Sequence, residues 1–301
     1  MRTLFREKDW STSSLGSVDE WSEVLKLSVG LCLNSRFPLI LWWGPELTML
    51  YNEPYIEHLK DKHPKSFGTP GRDVWKEIWN VIGPMLDSVF TSGEATYSDD
   101  MQLFLDRDGF LEETYHTFSY SAITDTNGKI VGILTPVAQT TERVIAERRL
   151  NTLRDLARAR AETERNLIPI INTVLQSNRM DLPLCAFFSL NAETGVNDLL
   201  ITNADTNAAY EFLNSEKFVE KVKAAAKADE VSVLKDLEVP EFVFPGSKLG
   251  RIPEQAVITP IPTANVDGEK LYLFCAVSPH QRPNENTLAF FESVGREIAT
   301  A

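Results

Sequence analysis

Cysteine is scarce in this chain. Cys32, Cys185 and Cys275 are the three among 301 residues, and no two of them form a Cys-x-x-Cys pair. That is too few for a disulfide framework and lacks zinc-ligand spacing, so the expectation is three buried thiols in a reducing compartment. Any Gly-x-Gly is also missing, although there are 15 glycines. The glycine-rich loops that bring backbone N–H groups onto nucleotide phosphates are therefore not expected. Walker, His-Glu-x-x-His, Gly-x-Ser-x-Gly and Asp-Phe-Gly motifs are absent too. No apolar run approaches the ~18 residues of a membrane span; the best, Phe37 to Trp43, is soon cut by Pro45 and Glu46. The first residues are charged and polar, unlike a signal peptide. The expected location is cytoplasmic, for this chain or as the cytosolic part of something longer. Positive charge is short as well. The net charge is -13, and it is divided between residues 1–145 (-8) and 146–301 (-5). Neither half offers the basic face that nucleic acid or anionic lipid needs as a partner.

What is present suffices for real cores: 43% of residues are apolar and 24% charged. The length suggests about two domains. All six tryptophans lie within the first 80 residues, so the two halves are built differently. Ser17 and Glu20 are spaced as a capping box before Trp21, Val24, Leu25, Leu31 and Cys32, which predicts a helix over 18–33. Phe37 to Trp43 reads as a buried strand and Leu47 to Tyr51 as its hairpin partner across Gly44-Pro45. A longer helix is predicted over 73–91, kinked or divided at Gly83-Pro84. Three strands follow as a meander, over 95–105, 111–123 and 129–138. They are joined by Asp106-Arg107-Asp108-Gly109 and Asp125-Thr126-Asn127-Gly128. Asn-Gly between apolar runs is the strongest short hairpin signal, because both turn residues take positive φ. The sum is a five-stranded antiparallel sheet with helices crossing one face.

From Thr141 a charged helix begins, in which Ala146, Leu150, Leu153 and Ala157 alternate by four and three. Arg160 ends the pattern after barely two heptads, which leaves a short dimer seam and a solvated connector both open. A further helix starting at Asn166 would place Pro169 in its first turn, where the missing N–H costs nothing. Strands are predicted over 184–190 and 197–203, linked through 191–195, then a helical stretch over 207–228. Strands over 256–262 and 270–278 are joined by Asn265-Val266-Asp267-Gly268, and a helix over 285–299 closes the pattern. The expected class is α+β: two domains, each an antiparallel sheet with flanking helices, joined by a connector helix.

Asp9-Trp10-Ser11, Leu15-Gly16, Ser35-Arg36-Phe37-Pro38 and the run Leu41-Trp42-Trp43-Gly44-Pro45-Glu46-Leu47 resemble PAS domains at the front of sensor histidine kinases. The likeness continues through Leu50-Tyr51-Asn52, Lys62-His63-Pro64, Trp75-Lys76-Glu77-Ile78-Trp79 and Glu112 to Ser121, and ends at Thr140-Thr141-Glu142-Arg143. Residues 150–301 resemble a GAF domain in strand order and final helix rather than in any motif. The resemblance implies the sensory region of a sensor or hybrid histidine kinase. It would comprise a helical lead-in (1–34), a PAS domain (35–140), a signalling helix (141–165) and a GAF domain (166–301).

Catalysis is not expected within the chain. A phosphoacceptor histidine in such kinases is followed by an acidic residue, whereas His58, His63, His116 and His280 are followed by Leu59, Pro64, Thr117 and Gln281. Known cofactors of the two families find no support. Cys32 lacks a flavin-photoreceptor setting, the 73–91 helix has no haem-ligating histidine, and the bilin cysteine signature is missing. Cys185 and Cys275 stand almost 90 residues apart, so a GAF-type methionine sulfoxide reductase is a minor alternative. Trp42, Tyr51, Trp75, Trp79, Tyr115, His116 and Phe118 are the candidate lining of a PAS cavity, suited to a small planar or amphipathic ligand. They could equally fill an ordinary core. His116 reads better as a hydrogen-bonded sheet residue, and Tyr115 and His116, adjacent on a strand, cannot both face inward. Glu112-Glu113 with Asp99-Asp100 reads as a solvated acidic rim.

The expected function is a non-catalytic PAS–GAF sensory module of a two-component phosphorelay. It would act as a homodimer and couple ligand or partner binding to histidine kinase or response-regulator domains outside the chain. The alternative is a constitutive dimerisation and docking scaffold without a ligand.

Overall fold

The structure is a computed structural model that describes residues 1–162, 167–191, 197–203, 207–226, 230–236, 252–261 and 269–299. Within them the chain falls into two units, Met1–Val144 and Ile145–Ala301.

Unit 1 opens with helices α1 (Arg2–Glu7) and α2 (Glu23–Asn34). Ser22 starts α2 by accepting the Leu25 N–H on its hydroxyl at 3.2 Å, and Leu25, Val29 and Cys32 carry the buried stripe. The helix expected over 18–33 forms, but from Glu23 rather than from Ser17: residues 18–20 make a single 3-10 turn without a side-chain cap. Trp21 then adopts an extended conformation and donates its indole N–H to the Gly16 carbonyl at 3.0 Å. Strands β1 (Leu39–Trp43) and β2 (Thr48–Tyr51) form the first hairpin. Next come α3 (Ile56–Leu59), the two-residue β3 (Thr69–Pro70), α4 (Gly71–Val74) and α5 (Trp79–Ser92).

The helix expected over 73–91 is divided earlier than Gly83-Pro84. Lys62 caps the Val74 carbonyl at 2.7 Å, and Trp75 leaves helical geometry at φ -113°, ψ 43°. Trp75 and Trp79 therefore belong to different segments. Pro84 lies inside α5, which ends at Gly93 in the left-handed region.

The meander forms as β4 (Thr96–Arg107), β5 (Phe110–Thr124) and β6 (Ile130–Gln139). At the first turn only Asp108 and Gly109 leave the strands, with φ 54° and 83°. Arg107, expected in the turn, pairs with Phe110 instead. At the second turn Gly128 has positive φ and Asn127 does not. There the Asp125 carboxylate holds the Asn127 and Lys129 N–H groups, each at 2.9 Å. The sheet order is β3-β2-β1-β6-β5-β4, antiparallel at each pairing. The expected five strands become six because β3, two residues long, is too short for any periodic signal.

Helix α6 (Thr141–Glu162) follows, and the boundary between the units falls inside it. Unit 2 continues with α7 (Ile168–Ser177), β7 (Cys185–Asn191), β8 (Asn197–Thr202), α8 (Asn207–Leu213), α9 (Glu216–Ala226), β9 (Ser232–Leu234), β10 (Ala256–Ile261), β11 (Glu269–Ala276) and α10 (Glu285–Ala299). The helical stretch expected over 207–228 is two helices, broken at Asn214-Ser215. Strand β9, three residues long, adds to the expected strands. The proposed cap at Asn166 and the turns through 192–195 and 265–268 lie outside the described residues.

The sheet order here is β8-β7-β11-β10-β9, again antiparallel. Strand parity builds its two faces. Odd positions Cys185, Phe187, Val257, Leu273 and Cys275 pack under α7 and α10 and beside Leu156 of α6. Even positions Ala186, Phe188, Ile258, Tyr272 and Phe274 pack under Leu213, Phe218 and Val222 of α8 and α9. Each large apolar side chain so buried stabilises the fold by about 1.5–3 kcal/mol.

Helix α6 is held by its own unit. Arg148 and Arg149 reach the fully buried Asp181 carboxylate at 2.6 and 3.1 Å, and Thr152, Leu156 and Ala159 are buried. Of the four seam residues, Ala146 and Leu150 are exposed, while Leu153 and Ala157 are half-buried. Leu153 packs against the core of unit 2. Among the described residues, no helix is long and apolar enough to cross a membrane.

Candidate functional site

Strand alternation in unit 1 turns one set of side chains toward the helices, and these enclose a cavity of about 40 Å³. The sheet wall is built from Ile40 and Trp42 on β1, Thr135 and Val137 on β6, His116, Phe118 and Tyr120 on β5, and Leu103 and Leu105 on β4. Tyr55, His58, Trp75, Ile78 and Ile82 close the helical side. Trp42 is fixed there by a 2.9 Å hydrogen bond from its indole N–H to Thr135 Oγ1.

The cavity thus gathers Trp42, Trp75, His116 and Phe118 from the seven candidate residues. Tyr51, Trp79 and Tyr115 do not line it. The Tyr51 ring is buried against Phe67 and Tyr55, with its hydroxyl 2.9 Å from His63 Nδ1. Trp79 is half-buried, with its ring centroid 6.5 Å from that of Trp42. Tyr115 points to the opposite face of the sheet, where its hydroxyl donates to Glu113 at 2.8 Å.

Besides Tyr55, Tyr120, Thr135 and the two indoles, the cavity lining carries two unusual polar groups. His116 is 4% exposed and His58 6%, and the Nδ1 atom of each has no hydrogen-bond partner among the described residues. His116 is therefore a buried, paired sheet residue whose Nδ1 has no hydrogen-bond partner among the described residues. The two ring centroids stand 5.7 Å apart, and His58 stacks on Tyr55 at 5.0 Å. Burial and then the Arg107 charge push His58 down to about 4. Burial, His58 and Arg107 push His116 down to about 3. Both rings are neutral near pH 7, so each offers one donor and one acceptor nitrogen.

Arg107, only 1% exposed, lies beside this pair. Its guanidinium donates to Glu112 at 2.7 Å, to the His58 carbonyl at 2.8 Å and to Gln139 at 3.5 Å. Glu112 also holds Lys60 at 2.9 Å, and Glu113 is buried. The acidic rim expected at Glu112-Glu113 is thus an ion-pair cluster and a buried carboxylate. Nothing in the sequence marks His58 or Arg107 as a cavity residue, since the first lies in a four-residue helix and the second beside a turn motif.

One residue before His116, at Tyr115, the sheet meets α6. The Tyr115 N–H donates to Thr141 Oγ1 at 2.9 Å, and the Tyr115 carbonyl accepts from the Thr140 N–H at 2.8 Å. Gln139 donates to the same Thr141 hydroxyl at 3.2 Å, and Arg143 pairs with Asp100 at 2.5 Å. Outside this junction lies a surface cleft of about 590 Å³, bordered by Glu57, His58, Gln139, Thr140, Glu142 and Arg143. His58 borders both spaces.

In unit 2, Cys185 and Cys275 are direct partners across β7 and β11 despite their distance in sequence. Both are buried and free. Burial pushes the Cys185 thiol up to about 12 and the Cys275 thiol upward as well. Neither is poised as the thiolate that redox catalysis uses.

No protein-family profile matches the chain, and no curated protein does. Solved structures do match. A sensory box sensor histidine kinase structure from Vibrio cholerae is 16% identical over 38% of this chain and 87% of its own, with a TM-score of 0.27. The PAS domain of a protein from Colwellia psychrerythraea is 12% identical over 40% of this chain and 99% of its own, TM-score 0.31. The GAF domain of a phosphoenolpyruvate-protein phosphotransferase from Coxiella burnetii is 14% identical over 51% and 92%, TM-score 0.36. The chain is similar to PAS domains of sensor histidine kinases and to GAF domains, and each of its units is the antiparallel sheet with flanking helices expected from the sequence.

Proposed function

We propose that this chain is a non-catalytic sensory module of a cytoplasmic two-component signalling protein, with PAS (35–140) and GAF (166–301) domains joined by a signalling helix (141–165). A kinase or response-regulator output would lie outside it. One observation carries this reading. His116 faces the cavity of unit 1, while the preceding residue on the strand, Tyr115, clasps both Thr140 and Thr141 at the start of α6. A molecule that moves His116 acts on the root of the helix within one residue, which is how a local contact biases a two-state element. Trp42, Trp75, His116 and Phe118 are the residues assigned to the ligand.

The output arm is a parallel homodimer through the exposed Ala146 and Leu150, with Leu153 and Ala157 contributing the edges they leave uncovered. The test is fractionated cell extract added to the full chain, followed by thermal shift and amide exchange at Thr140–Val144. A component that raises the melting temperature and changes that exchange supports sensing. No component that stabilises the chain favours the ligand-free scaffold. Stabilisation with unaltered exchange refutes the coupling, and a monomer by light scattering at tens of micromolar refutes the dimer.

A further inference from the structure

We infer that the cavity of unit 1 selects a small uncharged planar molecule, of the size of an azole ring, that hydrogen-bonds to His58 and His116 together. This rests on the sensory reading above and specifies the chemistry of its ligand. Two buried imidazoles, 5.7 Å apart between ring centroids, border one space and leave both Nδ1 atoms without partners among the described residues. Buried polar groups are rarely left unmade, because the loss of hydration is not repaid. Two such groups on a shared cavity mark a place for an occupant that supplies a donor and an acceptor.

The walls fix the rest of its character. Trp75, Phe118, Ile82 and Leu103 supply aromatic and aliphatic lining, which favours a flat apolar body. A cation is opposed by the Arg107 guanidinium next to the histidines, and an anion gains little because Glu112 already neutralises that charge. The space of about 40 Å³ exceeds what one water needs, ~10–15 Å³, yet falls short of the ~150 Å³ apolar cavity known to take benzene. A five-membered ring enters if His58 yields toward the 590 Å³ cleft that it also borders, which makes His58 both ligand contact and door.

The experiment uses the full chain with 15N-labelled histidine near neutral pH and two probes of equal ring size. Pyrazole carries an N–H donor and a nitrogen acceptor, and thiophene carries neither. Pyrazole is expected to shift the Nδ1 resonances of His58 and His116 saturably, and thiophene is not. His116→Leu removes one unpaired group without opening a hole, and it is expected to weaken pyrazole about tenfold, the worth of one hydrogen bond. Equal binding of thiophene, no pyrazole-dependent shift, or pyrazole affinity unchanged in His116→Leu overturns the inference. So do Nδ1 signals already hydrogen-bonded in the free protein and unmoved by pyrazole, the signature of water alone. Amide exchange at Thr140–Val144 keeps the two readings apart. Thiophene changing that exchange while binding as well as pyrazole sinks the ligand class and spares sensing; pyrazole binding without such a change does the reverse.

Discussion

The indole of Trp42 lies so close over Gly71 that a Cβ at residue 71 would stand 2.3 Å from its ring. Trp42 cannot retreat freely, since it is 1% exposed and its N–H is held by Thr135. Gly71 is therefore required by the space the ring occupies. Gly71→Ala is expected to cost about 1–3 kcal/mol by overpacking, read as a lower urea midpoint for unit 1. An unchanged midpoint would mean that the ring has somewhere else to go.

Thr141→Val keeps the shape at the root of α6 and removes the acceptor of the Tyr115 N–H, whose bond is 2.9 Å long. The expected loss is about 1 kcal/mol, with Tyr115 amide exchange accelerated roughly fivefold. Equal protection in variant and parent would show that the hydroxyl does not hold the strand.

Acid should weaken unit 1 before it weakens carboxylate pairs. His58 and His116 are held near 4 and 3 in the fold, while an unfolded chain takes up protons below ~6.5. The unfolded form then binds more protons, so stability rises with pH in this window and is lost as pH falls from about 6.5 toward 4. Each histidine contributes a slope of up to about 1.4 kcal/mol per pH unit. Arg107 is the charge that acts on both rings and opposes their protonation; Glu112 engages Arg107, and Glu57, Glu142 and Arg143 border the cleft on the outer side of His58. Urea titrations across this range should give a slope about half as steep in His116→Leu. Parallel curves would place the neutral histidines elsewhere than in stability.

Asp181 binds α6 into unit 2 through Arg148 and Arg149, with Asn178 and Gln281 each donating at 3.1 Å. Burial raises its pKa, but hydrogen bonds and charge from the two arginines outweigh burial and leave the carboxyl below its usual range. A depressed carboxylate stabilises the fold above its unfolded pKa of about 3.9, and that contribution disappears as pH falls through the native value. Asp181→Asn should cost about 3 kcal/mol, because it removes the buried carboxylate that both guanidiniums engage. Hydrogen exchange along α6 is the readout, and unaltered protection there would contradict the anchoring role.

Local pattern made much of this legible. The alternation of Cys185, Phe187 and Leu273 against Ala186, Phe188 and Tyr272 is present in the chain as a period of two, and it defines both faces of the second sheet. The strands of the meander are likewise set by apolar runs ending at Asp-Gly and Asn-Gly. Helix starts were harder to read: Ser17 and Ser22 carry the same capping chemistry, and the extended backbone of Trp21 decides between them.

What the sequence determined by itself was whatever neighbours along the chain can enforce: strand parity, the long charged helix after Thr140 and the aromatic wealth of the first half. Only tertiary structure decided which distant side chains meet. Arg107 reaches His58 across 49 residues, Trp42 reaches Thr135 across 93, and Cys185 faces Cys275 on an adjacent strand. Such encounters depend on sheet order and on burial, which changes the charge and hydrogen-bonding state of a group without changing its name in the sequence.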